Sequence, residues 1–437
     1  MAARDDRLAN RILIGLVIGA TAGALTLLIG NFAPAVLDGA RTLATYVLEP
    51  LGQVFLRLLF FVIIPLVFAS LATGIVQLGR LSKLGPLAGR TFTLFFFNMA
   101  IAVALGMVMM NVLQPGNALD DATQARLVQE YGGAAAKHIE RQATSPQLTP
   151  ATLVDMFMPR NLFGAFVGSD RNVLGEILPL ILFAILIGAA GTLLAEEKRL
   201  RLQASLETIT ELMTTMVHFA LRIAPYAVPA LIFSVVVKIG FDILVALGVF
   251  VLGCAAVMLL HLLGTMSIWL KLWTDHRPSG FFRQIKAVLI TAFSTSSSAA
   301  TLPTALDVAR NKLGVQPSVA GFVLPLGTTM NMSGTALYEG CVVLFVAQVF
   351  GIELGLIQQI TLLLLAVLSA VAVAAIPGGS LPLIAGLLIT FGIPPEGIGI
   401  ILGVDRILDM TRTMVNVGSD VVTTVVVDAQ VRRADAR

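Results

Sequence analysis

The chain has 437 residues, of which 57% are hydrophobic and 13% are charged, and its mean hydropathy is +0.90. Because a soluble globular domain carries roughly 25% charged residues, this composition excludes a soluble protein and indicates an integral membrane protein in a lipid bilayer. The formal net charge of +3 arises from short basic tracts between apolar runs, which is typical of topology signals and does not favour a nucleic-acid partner.

The first predicted element is a transmembrane helix. Residues 1–30 combine a basic start with an apolar stretch and small residues, a pattern that a cleaved signal peptide also has. The apolar run from Ile12 to Ile29 is long enough to span a membrane, and more such runs follow. We therefore favour a retained first helix.

Further apolar runs along the chain are long enough to cross a hydrocarbon core of roughly 30 Å. Two other stretches, 281–312 and 357–391, are broken in the middle by Ser/Thr or Pro/Gly clusters. Their arms hold about a dozen residues, which suits a re-entrant hairpin better than a span. The sequence thus predicts an all-α integral membrane protein with eight transmembrane helices and two re-entrant helical hairpins. The predicted spans are 12–32, 46–77, 91–113, 173–195, 206–237, 241–270, 318–350 and 394–427.

Basic clusters set the expected orientation. With eight spans, five clusters fall on one side of the membrane, which the positive-inside rule makes cytoplasmic. Both termini are then cytoplasmic, in the cell inner membrane or plasma membrane, and the polar segment 114–150 is an extracellular or periplasmic loop. The clusters are Arg4, Arg7 and Arg11; Arg80, Lys83 and Arg90; Lys198, Arg199 and Arg201; Arg277, Arg283 and Lys286; and Arg432, Arg433 and Arg437.

The second half of the chain repeats one pattern, a broken hairpin followed by a long helix with a polar interruption. The first copy is 281–312 with 318–350, and the second is 357–391 with 394–427. Paired interrupted segments in corresponding positions point to a transporter binding site near the bilayer midplane, at the interface of an internal repeat.

Each hairpin has a distinctive tip. The first, 293-FSTSSSAATLP-303, places hydroxyl residues in a bilayer, where they line a cavity or are buried in protein. Its N–H and hydroxyl groups could bind an anion; a turn with packing value only is the alternative. The second tip, 374-AAIPGGSLP-382, must turn because of its prolines and glycines. It could act as a gate, and a plain tight turn is the alternative.

The seventh span contains 325-PLGTTMNMSGTALYEG-340, which interrupts an apolar helix with polar and small residues. Carbonyls freed in an unwound helix coordinate Na⁺ or similar cations, and Asn331 could add an amide oxygen. Glu339 is the only acidic residue of that span. An ionisable residue at membrane depth is a functional candidate by default, here a proton carrier; a snorkelling residue at the helix end is the alternative.

The eighth span carries a narrow polar face. Arg412 offers a planar fork that suits a carboxylate, and Asp409, one turn earlier, suits an ammonium group. Together they match the two ends of an acidic amino acid, although a structural ion pair between them is the alternative. On a helix, offsets of 0, 4, 7, 8, 11 and 15 fall on one side. The residues at these offsets are Asp405, Asp409, Arg412, Thr413, Asn416 and Asp420.

The cysteines, serines and histidines do not indicate a disulfide, a hydrolase or a metal site. Cys254 and Cys341 lie inside apolar runs and form no disulfide framework. The serine cluster has no histidine or lysine base nearby in sequence, so a hydrolase is disfavoured. The histidines are scattered, and we expect neither a zinc site nor a cofactor. They are His138, His218, His261 and His276.

These elements, in this order, resemble the dicarboxylate/amino acid:cation symporter family, which includes glutamate transporters and archaeal aspartate transporters. The resemblance extends from 52-GQVFLRLLFFVIIPLVFASLATGI-75 to Asp420. It implies inverted repeats, a homotrimer, and a static scaffold along which a transport domain moves like an elevator. The implied parts are scaffold 1–90 and 151–237, transport domain 91–113 and 238–427, loop 114–150 and cytoplasmic tail 428–437.

The resemblance also implies a substrate site. Arg412 would hold the side-chain carboxylate of the substrate, and Asp409 would take its α-amino group. The other residues implied to contact substrate are Thr335, Thr413, Asn416, Ser297 and Ser298 in the first tip, and Pro377 and Gly378 in the gating second tip.

Cation coupling is implied as well. Glu339 matches the glutamate to which proton coupling is attributed in animal members of the family. One Na⁺ site of the family matches Gly327, Asn331, Asn416 and Asp420.

Departures from the family pattern affect the other cation sites. The family motif Asn-Met-Asp-Gly-Thr reads 331-NMSGT-335 here, so Ser333 replaces a cation-coordinating aspartate. Where members with a second buried Na⁺ site carry a tyrosine and a Thr-Ser pair, this chain aligns Phe95, Asn98 and Met99. Phenylalanine and methionine offer no oxygen ligand, so we expect that site to be absent. The approach 369-SAVAVAAIPGG-379 also lacks the Ser/Gly/Thr pattern of the remaining site.

The sequence therefore predicts a secondary active symporter that imports glutamate or aspartate, coupled to Na⁺ at fewer sites, to H⁺ through Glu339, or to both. A C4-dicarboxylate carrier would not need the carboxylate of Asp409, and a neutral amino acid carrier would not need Arg412. An anion channel is the alternative from a different class, since family members also leak anions.

Overall fold

The computed structural model describes residues 2–81, 86–119, 124, 158–167, 177–373 and 380–435, and all regular structure within these ranges is helical. The predicted all-α class is therefore confirmed. The helices are α1 (Ala2–Gly30), α2 (Pro34–Leu43), α3 (Glu49–Phe61), α4 (Ile63–Leu81), α5 (Pro86–Leu113), α6 (Leu162–Val167), α7 (Ile177–Thr192), α8 (Glu196–Ile239), α9 (Asp242–Leu260), α10 (Met266–Trp273), α11 (Pro278–Gln284), α12 (Lys286–Thr295), α13 (Ser298–Asn311), α14 (Pro317–Met330), α15 (Ser333–Val349), α16 (Leu356–Ala372), α17 (Leu381–Thr390) and α18 (Ile398–Asp435).

Two predicted spans are not single straight helices. The second span divides into α3 and α4 and is entered through the π-helical turn Ala44–Leu48. The long helix α8 contains Pro225 and Pro229, each of which removes a backbone hydrogen bond. Its halves, Glu196–Val217 and Arg222–Lys238, meet at 51°, as expected for a proline kink.

By length and apolar composition, three helical stretches in the described ranges can cross a membrane: Pro86–Ala118, Asp242–Trp273 and Pro317–Val349. The bent pair in α8 would be a fourth. The other apolar helices are 10–17 residues long. The predicted number of eight spans therefore stays a prediction.

The helices pack in two groups. In the first group, α8 packs against α1, α3 and α4, and α4 packs against α7. In the second group, α5 packs against α15, and α18 packs against α12, α14 and α15. Nearly every side chain of α18 from Ile398 to Asp428 is buried. The polar face of the eighth span therefore points into protein and not into lipid.

Two of the predicted interruptions are real breaks, whereas the polar interruption of the eighth predicted span is not, because α18 is continuous from Ile398 to Asp435. Helices α12 and α13 are joined by a two-residue turn at Ser296 and Ser297, and Ser296 adopts a left-handed φ of 49°. Helices α14 and α15 are separated by Asn331 and Met332, which are not helical. Residues 374–379 of the second hairpin tip, which include Pro377 and Gly378, lie outside the described residues.

Candidate functional site

The break between α14 and α15 creates a helix N-terminus in the protein interior. The first N–H groups of a helix have no partner within it, and here Asn416 of α18 supplies one. Its Oδ1 accepts from the backbone N–H of Gly334 at 2.7 Å and of Thr335 at 3.2 Å. Its Nδ2 donates to Thr335 Oγ1 at 3.1 Å. The predicted residues Thr335 and Asn416 are thus brought together.

A glycine allows this close approach. A Cβ atom at Gly334 would lie 2.5 Å from the backbone carbonyl oxygen of Arg412, so a larger residue would push α15 away from α18. The start of α15 therefore lies directly against the turn of α18 that carries Arg412.

Arg412 and Asp409 form a buried ion pair. The guanidinium donates to Asp409 Oδ1 and also to Ser380 Oγ, just before α17. Arg406 lies 3.4 Å from the other Asp409 oxygen. The predicted alternative, that the two residues pair with each other, therefore describes this conformation. Burying one of these charges without the other would be strongly unfavourable.

Tyr338 extends the ion pair towards a second carboxylate. The Arg412 guanidinium lies 5.0 Å from the centroid of the Tyr338 ring, within the range of a cation–π contact. The Tyr338 hydroxyl donates to Asp405 Oδ1 at 2.8 Å. Sequence reasoning did not single out Tyr338 or Ser380, because their contacts with Arg412 depend on packing between distant segments.

The remaining predicted substrate contacts make local hydrogen bonds. Thr413 Oγ1 donates to the Asp409 carbonyl at 2.9 Å. Ser297 caps α13, since its Oγ accepts from the Ala300 N–H at 3.2 Å, the usual role of a serine at a helix start. Ser298 is buried as the first residue of α13.

Asp420 lies in the space that a side chain at position 327 would need. A Cβ atom at Gly327 would lie 2.5 Å from Asp420 Oδ1. Asp420 Oδ1 accepts from Asn331 Nδ2 at 2.8 Å. The predicted residues Gly327, Asn331 and Asp420 thus converge, but the amide nitrogen of Asn331 faces the carboxylate, whereas the sequence suggested its oxygen as a cation ligand.

The third predicted span contributes a polar group that contacts Asn331. Asn98 Nδ2 donates to Asn331 Oδ1 at 2.8 Å, while the neighbouring Phe95 and Met99 are apolar and buried. Ser333 and Ser419 hydroxyls bond each other at 3.0 Å. The polar side chains of this region other than Asp420 are therefore neutral, and they bond to one another.

Glu339 is fully buried in α15. Among the described residues neither of its carboxylate oxygens has a hydrogen-bond partner. Ser369 of α16 lies nearby, although the geometry falls short of a hydrogen bond. Because Glu339 is shielded from solvent, the snorkelling alternative does not describe this conformation.

The site combines two chemical capacities. The Asp409–Arg412 pair offers one carboxylate and one guanidinium in a buried, hydrogen-bonded setting, which suits a zwitterion that carries an additional carboxylate. Asp420 offers a buried carboxylate beside a helix break, where carbonyl groups are available to a hard cation.

Comparisons with known proteins show the family to which the chain is similar. The model of the sodium:dicarboxylate symporter family matches residues 8–430. The chain is 32% identical over 421 residues to the proton/sodium-glutamate symport protein of Bacillus caldotenax, covering 95% of this chain and 92% of that protein. It is 30% identical over 426 residues to the proton/glutamate-aspartate symporter of Escherichia coli (strain K12), covering 96% and 92%. It is 31% identical over 418 residues to the C4-dicarboxylate transport protein of Xanthomonas campestris pv. campestris (strain B100), covering 95% and 86%.

Proposed function

The chain belongs to the sodium:dicarboxylate symporter family, and we propose that it is a secondary active symporter that imports glutamate or aspartate together with coupling cations. It is a transporter and not an enzyme. The observation that carries the proposal is the buried Asp409–Arg412 pair beside the start of α15.

An acidic amino acid can replace both halves of this pair. Its side-chain carboxylate takes the place of Asp409 at Arg412, and its ammonium group takes the place of Arg412 at Asp409. Each of the two buried protein charges exchanges one partner for another and stays paired, and the α-carboxylate of the substrate is left for neutral donors. Thr335, Thr413, Asn416, Ser297 and Ser298 would complete the site, and the second tip around Pro377 and Gly378 would cover it.

A C4-dicarboxylate is the second candidate substrate, because one relative is named as its transporter. Such a substrate has no ammonium group, so Asp409 would keep only Arg406, at 3.4 Å, as a charged partner. Truncating one side of a buried charge pair typically costs about 2–5 kcal/mol. The presence of Asp409 therefore favours the amino acids.

Cations would bind at two places. Asp420, with the backbone carbonyls of Gly327, Asn331 and Asn416, would hold Na⁺, and Glu339 would carry a proton. A second buried Na⁺ site is disfavoured by the mutual hydrogen bond of Ser333 and Ser419 and by the apolar Phe95 and Met99. Sodium and proton coupling appear in the names of these relatives.

The packing of the helices supports an elevator. The first packing group, with α1, α3, α4, α7 and α8, would belong to the scaffold, and the second, with α5, α12, α14, α15 and α18, would belong to the transport domain. This division follows the predicted limits 1–90, 151–237, 91–113 and 238–427. We further propose a homotrimer with eight spans and two hairpins, with both termini in the cytoplasm and the loop 114–150 outside.

Uptake into proteoliposomes tests the function. Purified protein should accumulate radiolabelled L-glutamate or L-aspartate when an inward Na⁺ or H⁺ gradient is imposed, each tested separately. Uptake that persists without Na⁺ would exclude obligatory Na⁺ coupling. Accumulation of succinate without either amino acid would contradict the substrate, and single-channel currents without substrate flux would favour an anion channel.

Glu339→Gln should remove the response to a pH gradient. Glutamine keeps the shape of the buried side chain but cannot carry a proton, and an ionised carboxylate without a partner would be costly at this depth. We expect uptake driven by an inward H⁺ gradient to fall roughly tenfold, which is within the range of coupling between sites. Uptake should be measured with a pH gradient alone.

Ser369→Ala is the matched control, since it alters the neighbouring hydroxyl and leaves Glu339 in place. Exchange of internal for external substrate should survive in both variants, because it needs no net proton movement. An unchanged response of Glu339→Gln to pH would exclude Glu339 as the proton carrier.

A further inference from the structure

Three buried polar side chains form a line from α5 to α18. Asn98 Nδ2 donates to Asn331 Oδ1, and Asn331 Nδ2 donates to Asp420 Oδ1, each at 2.8 Å. Asn98 and Asn331 are 0% exposed, and Asp420 is 2% exposed. The line therefore joins the third predicted span to the carboxylate at which we propose cation binding.

The carboxylate determines which way both amides face. An ionised carboxylate only accepts hydrogen bonds, so Asn331 must present its NH₂ group to Asp420 and its oxygen to α5. That oxygen then needs a donor, and the NH₂ group of Asn98 supplies one. The Asp420 carboxylate thus fixes the orientation of the Asn331 amide, and Asn98 completes the line of hydrogen bonds.

Asn98 acts through its NH₂ group. Its Oδ1 is buried and has no hydrogen-bond partner among the described residues, which is unfavourable. Its sequence neighbours Phe95 and Met99 have no side-chain donor. A cation placed between Asn98 and Asn331 would meet an N–H group, so Asn98 does not face Asn331 as a cation ligand.

Asn331 depends on such support because it lies in the helix break. Its φ of −115° and ψ of 61° are not helical, and its backbone carbonyl is one of the proposed cation ligands. Asn331 Nδ2 is also 3.4 Å from Ser419 Oγ. Hydrogen bonds on both sides of its amide therefore limit the rotation of Asn331 and, through Asp420 Oδ1, orient the carboxylate.

We propose that Asn98 is a positioning residue for the cation site at Asp420. By binding Asn331 Oδ1, it holds the Asn331 NH₂ group on one carboxylate oxygen and leaves the other oxygen for the cation. This inference rests on the proposed function, since it assumes that Asp420 binds a coupling cation. Groups that orient metal ligands typically change metal affinity by about 10- to 100-fold when they are removed.

Asn98→Leu tests this role because leucine has a similar volume and no donor. The full-length protein in detergent should be titrated with Na⁺, and separately with H⁺, while its melting temperature is followed; choline replaces Na⁺ to hold ionic strength constant. A cation that binds the folded state raises this temperature by mass action. We expect the concentration of the stabilising cation at half-effect to rise about tenfold in the variant.

A second readout separates positioning from general damage. The affinity for L-aspartate at saturating cation should stay within about twofold of wild type, because the ligands themselves remain. Thr91→Val is the matched control: Thr91 is also buried in α5, but its hydroxyl donates to the Leu87 carbonyl of its own helix. Asn98→Ala removes the same donor with a smaller side chain, should leucine prevent folding.

The outcomes are distinct. Unchanged cation dependence in Asn98→Leu and Asn98→Ala would overturn the inference, as would an equal loss of substrate affinity at saturating cation. A wild-type protein that is stabilised by Na⁺ or H⁺ but binds neither acidic amino acid would contradict the proposed substrate alone, and the Asn98 comparison would still be decisive.

Discussion

The Arg412→Cys variant is expected to lose measurable binding of L-glutamate and L-aspartate. The guanidinium is buried and bonds to Asp409 and Ser380, so it is already positioned for a carboxylate that would replace Asp409. Truncating one partner of a buried, hydrogen-bonded charge pair weakens binding by about 2–5 kcal/mol or more. At about 1.4 kcal/mol per tenfold, the affinity should fall by about 30-fold to several thousand-fold, which calorimetry with purified protein can measure.

Arg406→Cys is the matched control for this variant. Arg406 is on the same helix and also faces Asp409, but at 3.4 Å, and it is not placed at the substrate carboxylate. Its loss should weaken binding by less than about tenfold. If Arg412→Cys binds a neutral amino acid, Arg412 selects the side-chain carboxylate. Retained aspartate affinity in Arg412→Cys would refute the substrate assignment.

The sequence predicted the helical face that carries Arg412 because a single α-helix is determined by local spacing. Asp409 and Arg412 are one turn apart, so their pairing could be anticipated as an alternative. Ser380 and Tyr338 could not be assigned as partners of Arg412, because their positions depend on how α15 and the second hairpin pack against α18. Long-range packing has no short-range sequence signal.

The proposed cation site was also only partly predictable from the sequence. The sequence identified Gly327 and Asp420 as candidate cation ligands. It did not predict that the Asp420 carboxylate fills the space beside the Gly327 backbone. Asn331 was expected to offer its amide oxygen. The structure turns that oxygen towards Asn98, because the carboxylate of Asp420 takes the amide N–H. The orientation of the Asn331 amide is therefore determined only by the side chains of Asn98, Asn331 and Asp420 together.

Asp420→Asn is the second variant with a large expected effect. Asparagine has the same shape but no charge, and it would face the Asn331 NH₂ group with an amide. The number of charged ligands is one of the factors that set the affinity of a site for a hard cation, and Asp420 is the only charged ligand proposed here, so Na⁺ binding should be lost. Because cation and substrate binding are coupled, typically by about 5- to 150-fold, aspartate affinity should fall by up to about 100-fold, and Na⁺-driven uptake should stop.

Gly327→Ala tests whether the position of the Asp420 carboxylate matters as well as its charge. The added methyl group would lie 2.5 Å from Asp420 Oδ1, so the carboxylate must move although its charge remains. Gly248→Ala is the matched control, since nothing lies within 4 Å of a Cβ atom there. If Asp420 binds the cation through a fixed geometry, Gly327→Ala should raise the Na⁺ concentration for half-maximal uptake while saturating Na⁺ partly restores the rate. Asp420→Asn should not be restored at any Na⁺ concentration. If the two variants behaved alike, the effect of Asp420 would be structural. Only cation binding distinguishes a carboxylate that is missing from one that is displaced.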